Sequence, residues 1–424
     1  MSRSSLSMEN LRKVVQDLPT DSLSPTRNAA LINLSKSGLP TTKHEDWKYT
    51  DLKQPLDISN RWLAEGAFKT KNESLEFTIE SIVASVDANW LIISNGKIDL
   101  QYFNKEKNIE VSRFSETTAP CIFDRPLSYF NAALMQDGLK VFINTSTKKP
   151  IGFLIIDNTD KSVSISQVNI EIEVACNCDS EIIEYHHSAG REDHYSNSVV
   201  TLNVNKNAIT RYTKIQNRQT NHTQTSLAAI TLKKDSKLKM ACFDLGGGLI
   251  RNDVNINLIE PGSNADFNGL YLAGENQHID NHTKVEHFVG PASSSQEYRG
   301  ILNSDSCCVW NGRAIVHKGA DGTDANQKNQ NLLLSEKAEI NTKPELEIYA
   351  DEVKCSHGAT VGQLDESAIF YLRTRGLSIQ QATEIITQAF AADLVNKIPV
   401  STVKEEVSLL VSSRLSKLIS DKLV

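Results

Sequence analysis

Residues 163–174 read VSISQVNIEIEV. Val163 and Ile165, then Val168, Ile170, Ile172 and Val174, alternate with polar neighbours, which puts the apolar side chains on one face of extended strands. Similar runs return at 199–204, 209–215, 227–232, 238–243, 254–258, 265–271 and 309–316, separated by turn formers such as NKN, KKDS, LGGG and EPGSN. Strand starts roughly ten to sixteen residues apart, with no helical period between them, leave a sandwich, a barrel or a solenoid. A strand region of about 300 residues is long for one sandwich, whereas stacked coils lengthen without widening their core. The sequence therefore predicts a mainly β protein: a β-helix (β-solenoid) core over residues 76–375, with a helical N-terminal region over 1–75 and a C-terminal helical hairpin over 376–424.

The flanks carry helical signals. Ser7 is placed to cap a helix bearing Leu11, Val14, Val15 and Leu18; Ser24 with Pro25 opens a second, and Gly38 and Pro40 end it. In GLPTTKHEDWKYTDL (38–52), Trp47 and Tyr49 read as packing anchors. Near the other end, Ser378 and Gln381 form a capping box, and Ala382, Ile385, Ile386, Ala389, Phe390 and Leu394 make an apolar stripe. After a break at Asn396–Pro399, Thr402 and Glu405 start a last helix carrying Val403, Val407, Leu410, Val411 and Leu418. Such a hairpin either caps the open end of a solenoid or docks a partner.

The chain has 424 residues, of which 39% are hydrophobic and 23% charged; 45 Lys and Arg against 52 Asp and Glu give a net charge of −7. A mildly acidic chain without a basic block is not built as a nucleic-acid binder. No apolar run is long enough to span a membrane, and the N-terminus lacks a secretory pattern, so the expected location is the cytoplasm. Seven cysteines in a reducing compartment are expected as free thiols.

Most polar clusters have an ordinary reading. HIDNHTKVEH supplies His278, His282 and His287 without the glutamate of a zinc helix. His186, His187 and His194 fit surface positions around a polar loop, and Cys176 and Cys178 fit one strand face in the core. DLGGGLI has no Lys, Ser or Thr in phosphate-loop register and reads as a turn, so no nucleotide is expected on this chain and no catalytic residues stand out. Cys355 and His357, in DEVKCSHGAT, differ in context. Two residues apart on a strand they share a face with Cα atoms roughly 7 Å apart, and thiolate and neutral imidazole both ligate iron.

Two segments carry a resemblance. NGRAIVHKGADGTDANQKNQNLLLSEKAEINTKPELEIYADEVKCSHGATVGQLDESAIFYLRTRGLS (311–378) resembles the C-terminal signature of the SufB/SufD family, and GLPTTKHEDWKYTDL resembles its N-terminal motif. SufB-like chains carry a cysteine where this one has Ala338, and the run H-E-A-T where this one has His357, Gly358, Ala359 and Thr360. The chain is thus similar to the SufD branch of the family.

The resemblance implies a β-helix flanked by helices, within a complex of SufB, SufC and SufD that assembles iron-sulfur clusters. It implies a non-catalytic scaffold that pairs with a SufB-like paralogue through the β-helix end and docks a SufC-like ATPase through its C-terminal helices, with a homodimer possible in isolation. Cys355 and His357 would then help hold a transient iron-sulfur cluster, as cofactor and metal ligands, at the SufB interface. Two other readings are a β-helix carbohydrate-active enzyme, which needs a cleft with paired carboxylates, and a purely structural SufB partner whose Cys355 and His357 only pack the interface.

Overall fold

The computed structural model describes residues 5–68 and 75–420. From Ile151 onward each strand pairs in parallel with the strand one coil later, and successive strands alternate between two sheets. One sheet has ten strands and ends in Lys354–Gln363; the other has nine and ends in Glu339–Ile348. This is the expected β-helix.

Parallel pairing in fixed register stacks each side chain on its counterpart in the next coil. Ile172 lies over Leu202 and Leu202 over Ile230, while Val174, Val204 and Leu232 form the neighbouring column. These columns fill one half of the lumen and belong to one continuous core. The turn residues found in the sequence sit at a stacked corner. Asn177, Asn207, Asp235 and Gly262 all have left-handed φ, and each donates its backbone N–H to the following coil, the first three to carbonyls of Lys206, Lys234 and Pro261. Asn, Asp and Gly are the residues that tolerate this conformation, so the corner extends the ladder around the bend.

The other half of the lumen is polar. Arg218, fully buried, donates to Asp157 at 2.7 Å and to Gln224 at 2.7 Å, and His194 lies 3.1 Å from the same Asp157. One column over, His186 contacts Glu184 at 2.6 Å, Tyr212 donates to Glu184, and Lys214 donates to Ser226 and Asn252. His186 and His194, read from sequence as surface residues, are therefore core residues with no accessible surface; His187 is half-buried. Ile182 and Ile183, adjacent and both buried, are the sign that each face of this strand is covered.

Helices cover both outer faces. Against the nine-stranded sheet lie α1 (Met8–Asp17), α2 (Ser24–Ser37) and α3 (Lys53–Ala64), together with a further helix at Pro126–Leu134 that buries Tyr129, Phe130 and Leu134. The caps at Ser7 and Gly38 form as predicted. The expected β-helix region, 76–375, also contains helices: α4 (Glu76–Ser85), α5 (Pro126–Leu134) and α6 (Glu366–Thr374). Both of the first two are short: α4 buries only Ile79 and Ile82 and leaves Phe77 exposed, which blurs its apolar stripe, while α5 is mostly apolar and buried from Ser128 to Leu134, which leaves it no polar face.

The C-terminal hairpin, α7 (Ile379–Asn396) and α8 (Lys404–Ser420), lies along the outer face of the ten-stranded sheet rather than over its end. Its buried face is Ala382, Thr383, Thr387, Ala391 and Leu394, with Val407, Val411 and Leu415 from α8. Ile385 and Ala389, placed on the apolar stripe by the sequence, are exposed instead.

The two ends of the solenoid differ. At the N-terminal end, short strands at Lys97–Asp99 and Ile109–Arg113 turn back antiparallel. At the C-terminal end two ten-residue strands present free edges, and all but their half-buried positions are exposed.

The buried histidines make a pH prediction. Burial lowers His186 and His287 to about 4, although the Glu184 carboxylate pulls His186 the other way. Unfolded, each titrates near 6.5. Between these values the unfolded chain binds protons that the fold refuses, so stability is full above pH 6.5 and falls as pH drops toward 4. Each such histidine costs roughly 2 kcal/mol at pH 5. Urea unfolding at pH 7.5 and pH 5 is expected to show a clear loss at the lower pH; equal midpoints would mean these rings are not held neutral.

Candidate functional site

Cys355 and His357 lie on the last strand, opposite Ala325 and Gln327. Following the register back, Cys355 ends the inward column Leu238, Ala265, Ser294, Ala325, and His357 ends the column Met240, Phe267, Gln296, Gln327. Every earlier member of both columns is buried. Cys355 is half-buried and His357 exposed because no further coil covers them. The two side chains thus close the lumen at its open mouth, on one face, as their spacing predicts.

Burial raises the Cys355 thiol above its ordinary pKa; a backbone hydrogen bond at Ala325 offsets this in part, and Asp324 adds to the rise. The adjacent Lys354 does not reverse the direction. As a ligand Cys355 must first lose a proton, whereas imidazole is a ligand in its neutral form. Among the described residues no three His, Cys, Asp or Glu side chains converge as a metal-binding group. Thiolate and imidazole are residue types that ligate iron, and two of them do not make a closed metal site.

A Cβ on Gly358 would meet nothing within 4 Å, so packing does not dictate the missing carboxylate. Ala338 is 7% exposed, beside the core under the turn after the strand Asp324–Leu333.

The remaining candidates have structural partners. His278 contacts Thr50 at 2.8 Å and His282 reaches Asp280 at 3.1 Å, both outside the barrel, while His287 points inward to Ser294. All seven cysteines are free. Cys176 and Cys178 do not share a strand: they flank Asn177 in a corner turn, where Cys176 is exposed and Cys178 buried. DLGGGLI is a bend whose Gly247 has φ +82°, as expected of a turn.

Sequence reasoning undervalued the N-terminal motif 38–52. Glu45–Trp47 forms a short turn of helix on the nine-stranded sheet, and the buried Arg251 guanidinium stacks over the Trp47 ring at 4.4 Å while donating to the Asp46 carbonyl at 2.8 Å. Thr50 donates to Asp280, and Lys343 on the terminal strand of that sheet meets Glu45 at 3.2 Å. The motif is a strap from the N-terminal helices to the open end. Trp47 is an anchor; Tyr49 is 45% exposed and is not.

Apolar side chains also stand unburied on the C-terminal helices. Helix α6 buries no residue, and Phe370, Tyr371, Ile379, Ile385 and Leu409 are each more than 40% exposed, Phe370 at 68%.

The raised thiol predicts slow alkylation. At pH 7, Cys355 in the intact protein is expected to react with iodoacetamide more slowly than the exposed Cys121 and Cys176, and to accelerate as pH rises. Mass mapping of a time course checks this; Cys355 reacting first at pH 7 would contradict the raised pKa.

Comparison with known proteins identifies the family. Residues 155–390 match the family described as SUF system FeS cluster assembly, SufBD core domain, and residues 7–99 match the SufBD protein N-terminal region. The iron-sulfur cluster assembly protein SufD of Escherichia coli is 29% identical over 92% of this chain and 93% of its own length. An iron-sulfur cluster assembly SufBD family protein of Synechocystis is 30% identical over 68% of this chain and 66% of its own, and SufD of Bacillus subtilis is 22% identical over 86% and 87%. No helix among the described residues is long and apolar enough to cross a membrane. With the core domain matched over more than half its length and the likeness to SufD running nearly end to end, the chain belongs to the SufBD family of the SUF iron-sulfur cluster assembly system.

Proposed function

We propose that this chain is a non-catalytic scaffold whose open solenoid end pairs with a SufB-like paralogue, so that Cys355 and His357 supply part of the ligand set for a nascent iron-sulfur cluster at the junction. The observation that carries the reading is the pair of full-length free edges, Glu339–Ile348 and Lys354–Gln363, with a soft thiol and an imidazole closing the lumen between them. Free edges of this length are templates for pairing with another chain. A second copy of this chain can occupy the same edge when the paralogue is missing. The cluster is cargo: two ligands do not complete an iron-sulfur site, and the partner contributes the others.

Of the two ligands, His357 is the more available, being exposed and needing no deprotonation beyond neutral imidazole. His357→Ala is expected to abolish or strongly weaken cluster assembly in cells while the three-subunit complex still forms, and Cys355→Ala to cause a milder loss. Anaerobic reconstitution on the purified complex reads this out. A stable cluster on the isolated chain, unaffected by loss of His357, would mean the ligands lie elsewhere, as would equal cluster content in all three complexes.

The same proposal gives the exposed face of α6 and α7 to a SufC-like ATPase, which would supply the nucleotide chemistry for which this chain has no phosphate loop. Tyr371, Arg373 and Arg375 border that face, with the Arg375 guanidinium over the Tyr371 ring at 5.2 Å. Deleting the whole hairpin is the wrong test, because α7 and α8 cover the apolar side of the ten-stranded sheet. Phe370→Asp and Ile385→Asp change only exposed positions. They are expected to release the ATPase in co-purification with little change in thermal midpoint; retention at full affinity would move the dock elsewhere.

A further inference from the structure

A cavity of about 340 Å³ opens between the strap, the N-terminus of α5 and the nine-stranded sheet, remote in sequence from the pair at the open end. Its size lies at the lower limit of small-molecule pockets. Leu39, Pro40, Trp47 and Pro126 supply apolar wall, and Trp47 is held by the Arg251 stack.

The other wall is a set of unused donors. Helix α5 begins with Arg125 at its cap and Pro126 at its first position; no side chain caps it, and the backbone N–H groups of Leu127 and Ser128 have no acceptor among the described residues. Ser128 lines the cavity, is 4% exposed, and its hydroxyl has no hydrogen-bond partner among the described residues. The side chain is otherwise buried, and the unpaired hydroxyl is open to the cavity beside two free N–H groups. Arg125 adds a guanidinium whose one ion-pair contact, Asp253 at 3.8 Å, is long. The helix is pinned to the sheet, since Asn197 donates to the Leu127 carbonyl at 2.9 Å and Asn131 to the carbonyls of Val168 and Asn197. The two N–H groups and Ser128 are therefore fixed in place.

Three carboxylates also border the cavity. Asp253 is held by both nitrogens of Arg251 at 3.0 and 3.2 Å, and Glu45 by Lys343, while Asp46 is exposed at the rim. None of the three is engaged by Ser128 or by the free N–H groups. The N-terminus of α5, whose first residues line the cavity, adds its positive dipole end.

We propose that this cavity binds a small flat molecule carrying a phosphate monoester, with the phosphate on the α5 N-terminus and the ring against Trp47, Leu39 and Pro40. Two N–H groups, a hydroxyl and a guanidinium on three residues that line one cavity suit three phosphate oxygens better than the two of a carboxylate. The site is independent of cluster assembly at the open end.

Calorimetric titration of the full chain with naphthyl phosphate, naphthol and inorganic phosphate tests it. Naphthyl phosphate is expected to bind, with each half-molecule at least tenfold weaker. Ser128→Ala removes a hydroxyl that no protein group uses, and Arg125→Gln removes a charge held only by one long contact. Both variants are expected to keep the thermal midpoint of the parent and to weaken naphthyl phosphate about tenfold each. Absence of binding at millimolar concentration, binding unchanged in both variants, or naphthol binding as tightly as its phosphate would each overturn the proposal.

Discussion

Register between stacked coils governs the rest of this molecule. In a parallel ladder a shift of one residue sends every side chain to the opposite face, and here the inward face is a closed lumen. Asp157, Glu184 and Lys214 come from three different strands and Arg218 directly follows the last of them, yet the four must meet inside it. Breaking one member of such a buried set typically costs about 3–5 kcal/mol, whereas the apolar columns tolerate a slip more readily. The charged half of the lumen therefore specifies register, and the apolar half supplies the bulk of the burial. The left-handed corner residues reinforce this by carrying the ladder through the bend at a fixed residue in each coil.

A two-sheet solenoid leaves both outer faces to be covered, and the two helical flanks divide that task. The N-terminal helices and α5 take the nine-stranded sheet; α4, α7 and α8 take the other. What stays uncovered is the C-terminal end of the ladder and the outward side of α6 and α7. Both surfaces are defined by where the helices stop, which is why the strap 38–52 matters: it reaches the last coil through Lys343 without closing it.

The β-helix was legible because its apolar alternation and its turn chemistry repeat along the chain, and the terminal caps at Ser7, Gly38 and Ser378 are local signals that the structure reproduces. Cys355 and His357 were legible as a pair on one face for the same reason: strand parity is set by spacing alone. Parity does not say which face is inside. Glu184 and His186 alternate with Ile183 and Tyr185, and only the burial of both faces reveals that the polar set points into the lumen. Helix α5 escaped notice because a short helix packed on several sides has no polar face to mark its period. The Ser128 hydroxyl and the Trp47 stack depend on residues tens to hundreds of positions apart, and no local pattern contains them.

The unlike ends of the solenoid give the molecule a polarity. Head-to-tail stacking would need a parallel acceptor edge at the N-terminal end, and there the described residues offer short reversed strands at Lys97–Asp99 and Ile109–Arg113. On the proposed pairing, growth from the C-terminal edges would stop after one event: an edge meeting a like edge around a two-fold or pseudo-two-fold axis would leave no free template. Filament formation, the usual hazard of an exposed β edge, would then be limited by geometry at the far end instead of by charge at the near one, which would leave the near end free for the proposed ligands.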